Sequence, residues 1–198
     1  MIIDPAVARG RDEAAIARKA IAGGATMVQL RDKLREKGAQ LRSAEAIAAA
    51  CREGGALFIM NDHVDVALAA GADGVHVGQK DLPAGVVRRL VGPDRIIGCS
   101  TNNAEEARRA EADGADYVSV GRLFPTGSKA DTRDATLDTL REVKAAVSVP
   151  VCAIGGINDS NIDSVIEAGA DIVSVIAAVV AADDVRAAAE ALASALRP

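Results

Sequence analysis

The chain has 198 residues, 49% hydrophobic and 26% charged, a globular composition at the size of one domain with a substantial core. A formal net charge of -5 and only three aromatic residues supply little for a general nucleic-acid surface, so any anion site must be local. No apolar run approaches the roughly 18 residues of a membrane span, and Met1-Ile2-Ile3-Asp4-Pro5 has neither the basic region nor the apolar core of a signal peptide, so a cytoplasmic chain is expected.

In chain order, Ile2-Ile3 reads as a short first strand and 11–22 as a first helix. A strand follows within 24–30 and a helix over 37–53, then a strand at 56–60 and a helix over 62–70, then a strand within 71–77 and a helix over 84–91. The second half continues with strand 95–99, helix 103–113, strand 114–120, helix 136–147, strand 150–154, helix 159–168, strand 169–175 and helix 183–196. Four of these strands sit in one repeated pattern, Gly-Ala-[Thr/Asp]-x-Val-x-[Leu/Val], beginning at Gly24, Gly71, Gly114 and Gly169. Each Gly is placed to end a helix before a strand begins.

Eight nearly continuous apolar strands alternating with eight helices predict a parallel sheet covered by helices, and eight is the number at which such a sheet closes. The expected fold is therefore α/β, a closed (β/α)8 TIM barrel over 1–198 as one domain, though shorter than the roughly 250 residues typical of the class. A doubly wound open sheet is the alternative; the absence of a strand-order break counts against it. Cys51, Cys99 and Cys152 are odd in number, far apart and set in apolar runs, which predicts reduced core thiols rather than disulfides or a zinc site.

Barrel enzymes place their chemistry at the C-terminal strand ends and the loops that follow. Those positions hold Gln29, Arg31, Asp32 and Lys33; Asn61, Asp62 and His63; His76, Gln79 and Asp81; Ser100 and Thr101; Arg122, Thr126, Ser128 and Lys129; Gly155 and Gly156; and Ser174, Ile176 and Ala177. Three cations, Arg31, Lys33 and Lys129, with the separated carboxylates Asp62 and Asp81, suit a diphosphate with Mg²⁺. Gly155-Gly156 and the turn after strand eight suit a second phosphate. Each residue also has a plainer reading: Asp62 and Asp81 as helix caps, Arg31 and Lys33 as a solvated loop, Gly155-Gly156 as a turn, His63 as a surface residue and His76 as a satisfied barrel histidine.

Taken together, Val28-Gln29-Leu30-Arg31-Asp32-Lys33, Ile59-Met60-Asn61-Asp62, Gly74-Val75-His76-Val77-Gly78-Gln79-Lys80-Asp81, Ile97-Gly98-Cys99-Ser100, Pro125-Thr126-Gly127-Ser128-Lys129-Ala130-Asp131-Thr132-Arg133 and Ala153-Ile154-Gly155-Gly156-Ile157 resemble the thiamine phosphate synthase family. The resemblance runs in unbroken order from the second strand to the end. It implies a (β/α)8 barrel that joins 4-amino-2-methyl-5-(diphosphooxymethyl)pyrimidine to 4-methyl-5-(2-phosphooxyethyl)thiazole, giving thiamine phosphate and pyrophosphate by a dissociative route. By resemblance Gln29, Leu30, Arg31, Asp32, Lys33, Asn61, Ser100 and Lys129 hold the pyrimidine diphosphate, with Arg31, Lys33, Ser100 and Lys129 stabilising the departing charge. Asp62 and Asp81 hold Mg²⁺. Thr126, Gly127, Ser128, Gly156, Ile176 and Ala177 hold the thiazole phosphate.

The chain departs from the family pattern at Arg122, where Pro is usual, at Asn102, where His often stands, and at Ser128, which replaces a common Thr. The rival reading is a thiazole tautomerase, which lacks the Asp pair and the Lys-x-Asp-Thr loop; a non-catalytic phosphate-binding barrel would leave the metal pair without work. Small phosphorylated molecules are the expected partners, with the chain a monomer or a homodimer.

Overall fold

The computed structural model describes residues 1–127 and 133–196. In chain order its elements are β1 (Ile2–Ile3), α1 (Pro5–Ala8), α2 (Glu13–Ala22), β2 (Met27–Leu30), α3 (Lys37–Gly54), β3 (Leu57–Asn61), α4 (Val64–Ala69), β4 (Gly74–Val77) and α5 (Ala84–Val91). They continue with β5 (Ile96–Thr101), α6 (Ala104–Ala112), β6 (Tyr117–Val120), α7 (Leu137–Ala146), β7 (Val151–Ile154), α8 (Ile162–Glu167), β8 (Ile172–Ser174), α9 (Ala177–Val180) and α10 (Val185–Ala195). The strands form one eight-stranded sheet in sequence order, parallel, with helices between them, which is the (β/α)8 class that the alternation predicts.

The repeat now has a physical meaning. All four of its glycines take positive φ, from 64° at Gly71 to 102° at Gly24. The N–H of each following Ala reaches back five residues: Ala25 to Ala20 O (3.0 Å), Ala72 to Ala67 O (2.9 Å), Ala115 to Ala110 O (2.9 Å) and Ala170 to Val165 O (3.3 Å). This closes each helix with a Schellman-type turn. In three copies the third residue then grips one residue near the start of the preceding strand by both of its backbone groups. Asp73 donates its N–H to Phe58 O (2.9 Å) while its carboxylate accepts from Phe58 N (2.7 Å). Asp116 does the same to Ile97 (2.8 and 2.7 Å) and Asp171 to Val151 (2.9 and 2.8 Å). In the first copy, with Thr26 at this place, it is the Met1 amino group that donates to Met27 O (2.7 Å).

Several helices begin one or two residues inside their expected limits because one of the first two residues expected in them is the cap. Asp12 accepts from the N–H groups of Ala14 and Ala15 ahead of α2. Asn103 accepts from Glu106 ahead of α6, and Asp184 from Ala187 ahead of α10. Thr136 and Thr139 exchange bonds in a capping box that starts α7. The four-residue helices α1 and α9 are absent from the sequence reading, since one turn carries no periodicity; α1 is nevertheless capped by Asp4 with Pro5 in its first turn.

The contacts fall into two compact units, Met1–Val75 with Ile176–Pro198, and His76–Val175. In the first, α2 packs between α3 and α10 over buried Ile16, Ala17, Ala20, Ile47 and Ala48. In the second, Ile97, Val118, Val120, Val151 and Ala153 form the buried strand core against Leu140, Val143 and Val165. Cys51, Cys99 and Cys152 are free and buried, as expected of core thiols.

Candidate active site

In the first unit, β2 and β3 run side by side with Leu30 opposite Met60, so the ends of both strands emerge together. Gln29 is buried and its Oε1 has no hydrogen-bond partner among the described residues. Leu30 is wholly buried, which leaves only its backbone to meet a ligand. Asn61, the last residue of β3, is buried as well. Asp62 takes φ 60°, a left-handed conformation that Asp tolerates better than most side chains. It does not cap α4, whose N-cap is His63 without a side-chain bond. The Asp62 carboxylate instead forms an ion pair with Lys33.

Arg31 is fixed by Asp4, which lies 2.5 Å from one of its terminal nitrogens. That pairing leaves the remaining edge of a five-donor guanidinium for another anion. Asp32 plays a different part: its carboxylate is enclosed, accepting from Leu34 N and Arg35 N (both 3.0 Å) and from Arg35 Nε (2.5 Å). Burial would raise its pKa, but the two backbone donors and the guanidinium outweigh it and hold the group below the ordinary value. Asp32 therefore shapes the loop from within. Gln40 completes the frame by donating to Asp32 O (3.2 Å) and Arg35 O (2.8 Å), and Glu13 takes the other end of Arg35 (3.0 Å). Ile176, buried, and Ala177, exposed, form the entry to α9.

In the second unit, Asp81 accepts from Gly78 N (2.8 Å), folding the loop after β4 back on itself; α5 starts from Pro83 and not from Asp81. Ser100 near the end of β5 meets His76 Nε2 at 2.9 Å, and its carbonyl accepts from Gln79 Nε2 at 2.8 Å. Thr126 is half-buried and Gly127 exposed. Ser128 and Lys129 lie outside the described residues.

The Gly-Gly turn after β7 packs closely against a neighbouring segment. A Cβ on Gly155 would stand 2.6 Å from Arg122 Cα, and one on Gly156 would stand 2.7 Å from Phe124 O and Pro125 O. The backbone of 122–125 lies against this turn and is bonded to it through Leu123 N to Ile154 O (3.1 Å) and Phe124 N to Gly155 O (3.0 Å).

Both unusual residues of this region meet one partner. Arg122 Nε lies 2.7 Å from Asp134 Oδ1, and Asn102 Nδ2 donates to Asp134 O at 2.9 Å. Beside them Arg133 takes both Glu106 oxygens (2.8 and 2.7 Å), and this hydrogen-bonded guanidinium holds the Glu106 carboxyl below its usual range. The residues sequence reasoning missed are these partners, Asp4, Glu13, Gln40 and Asp134, and Tyr117, whose hydroxyl lies 2.9 Å from His76 Nδ1. Only Asp4 carried a local signal, as a cap before Pro5.

A barrel whose polar residues lie at the C-terminal strand ends, with guanidinium, ammonium and carboxylate groups in the loops after β2 and β3, is the arrangement of a (β/α)8 enzyme for anionic substrates. The family model for thiamine monophosphate synthase matches residues 1–179, and the chain belongs to that family. It is 52% identical to a thiamine-phosphate synthase of Shouchella clausii over 94% of this chain and 90% of that protein. It is 49% identical to one of Moorella thermoacetica over 97% and 92%. The solved thiamine phosphate pyrophosphorylase of Pyrococcus furiosus superposes with a TM-score of 0.91 at 40% identity, covering 98% of this chain and 93% of that one.

Proposed function

We propose that the chain works as a transferase of its family, joining the pyrimidine diphosphate to the thiazole phosphate, carboxylated or not, with release of pyrophosphate. The observation that carries this reading is Gln29 Oε1, a buried acceptor without a partner among the described residues, two residues from Arg31 and four from Lys33. An aminopyrimidine bearing a diphosphate offers the N–H donor and the anion together.

The donor chemistry of Asp62 and Asp81 fits Mg²⁺: both are hard oxygen ligands, and this ion commonly takes one or two carboxylates with phosphate oxygens and water. Among the described residues no group of three or more His, Cys, Asp or Glu is placed to hold a metal ion. When bound, Mg²⁺ would neutralise diphosphate charge. Lys33, paired with Asp62 here, would turn its ammonium to a diphosphate oxygen. Arg31, already oriented by Asp4, would meet the same group without reordering.

In this reading the methylene–oxygen bond of the pyrimidine breaks first, and the diphosphate leaves with the electron pair. The thiazole nitrogen then attacks the resonance-stabilised cation, so no general base is required for attack. Arg31, Lys33, Ser100 and Lys129 stabilise the departing charge, while Thr126, Gly127, Ser128, Gly156, Ile176 and Ala177 hold the thiazole phosphate. The three reduced, buried thiols support a working place in a reducing compartment such as the cytoplasm.

The test is thiamine phosphate formation from the two purified substrates, with Mg²⁺ or with chelator, beside Asp62→Ala. Expected is Mg²⁺-dependent product that falls by at least roughly a hundredfold in the variant. A folded protein that binds the thiazole phosphate but makes no product would overturn the reading.

A further inference from the structure

His76 on β4 is buried and held at both ring nitrogens. Nδ1 lies 2.9 Å from the Tyr117 hydroxyl and Nε2 lies 2.9 Å from Ser100 Oγ. Tyr117 comes from β6, and its ring reaches His76 by lying over Gly98 of β5, its register partner. A Cβ at residue 98 would stand 2.1 Å from Tyr117 Cζ and 2.3 Å from its hydroxyl oxygen. Glycine in the Ile97-Gly98-Cys99-Ser100 motif is thus the opening through which a tyrosine touches the histidine.

The direction of these bonds follows from counting donors. Tyr117 is buried, and His76 Nδ1 is the acceptor its phenol O–H meets among the described residues. Burial, with the Cys152 and Cys99 thiols near it, pushes the phenol far above its ordinary value, so it keeps its proton. A buried O–H must donate. If it donates to Nδ1, the ring hydrogen resides on Nε2, and Nε2–H donates to Ser100 Oγ. The Ser100 hydrogen is then directed to a third group. Gln79 holds the same residue by its carbonyl at 2.8 Å.

We infer that Tyr117 and His76 are positioning residues that fix the polarity of Ser100, making its hydroxyl a hydrogen-bond donor to an oxygen of the pyrimidine diphosphate. This rests on the reading of Ser100 as a diphosphate contact given above.

The chain has two histidines, so long-range proton–nitrogen correlation spectra of the uniformly ¹⁵N-labelled, substrate-free protein show two imidazoles, and His63→Asn assigns them. Expected is a His76 ring with Nε2 protonated and Nδ1 bare; a proton on Nδ1 overturns the inference, and the wild-type protein suffices to decide it. In kinetics, Tyr117→Phe keeps the ring and removes the donor. It should lower kcat/KM for the pyrimidine diphosphate roughly tenfold, as expected for one weakened charge-assisted bond, and leave KM for the thiazole phosphate unchanged. In a Ser100→Ala background the same substitution should cost nothing further. Additive losses would show that Tyr117 acts only on packing and would overturn the inference while sparing the Ser100 contact. Unchanged diphosphate kinetics in Ser100→Ala would overturn the contact and the inference together, whatever the tautomer.

Discussion

Asp32 stands in a run of cations, between Arg31 and Lys33, yet its carboxylate is enclosed by Leu34 N, Arg35 N and the Arg35 guanidinium. Its folded pKa lies below the ordinary value of 3.8. A carboxylate with a depressed folded pKa contributes stability that is complete above its unfolded pKa and is lost as pH falls through the folded one. Asp32→Asn should therefore be less stable than wild type by about 2 kcal/mol at pH 7. Urea unfolding at stepped pH should show the gap closing below about pH 4; a constant gap down to pH 2 would mean that charge is not what the loop uses. At this scale the cations and the Asn61-Asp62 pair were legible from their places after strands. Their partners were not, because Asp4 meets Arg31 across 27 positions and Tyr117 meets His76 across 41, distances that only the fold closes.

Among the elements, the contact of α2 with α10 is a close one at a glycine. A Cβ on Gly23 would stand 2.4 Å from Arg186 O and 2.8 Å from Ala189 Cβ, both on α10. Gly23 has φ -87°, so alanine meets no backbone strain there, and by itself the change would stabilise by about 0.4–1 kcal/mol through the unfolded chain. Overpacking against a helix backbone costs about 1–3 kcal/mol and wins. Denaturant titration should find Gly23→Ala less stable than wild type, whereas Gly38→Ala in α3, where the nearest atom is the movable Arg42 Nη1 at 3.8 Å, should be neutral or more stable. The strands and long helices were legible because apolar runs and helix caps are local. The expected helix 159–168 shrinks to α8 because Asn158 and Asn161 bond the nearby backbone in turns, with Asn158 Oδ1 taking Ser160 N and Asn161 Oδ1 taking Asn158 N. That competition leaves no mark in the apolar spacing.

For the molecule as a whole, burial pushes the Cys51 and Cys99 thiols up to about 11. At pH 8 roughly one thiol in a thousand is then ionised at either site, against a quarter of a free cysteine. A disulfide reagent should leave the native protein almost unlabelled and titrate three thiols once it is unfolded; prompt labelling of the native state would mean that the helix and strands carrying them open readily. The (β/α)8 class was visible in the eightfold alternation and the repeat. The role of the repeat's third residue was not, since a lone Asp before a strand looks like any turn residue until its carboxylate and N–H are seen on the same neighbour.

That doubled grip bears on how the chain reaches its native state. Asp73, Asp116 and Asp171 close on residues only 15, 19 and 20 positions earlier. The entropy of closing a loop grows only as the logarithm of its length, and short closures come early in a search. Each grip is complete once one helix has turned its strand back beside the last. Parallel pairing, ordinarily slow because its partners are distant, is here divided into brief steps that can begin at three places along the chain.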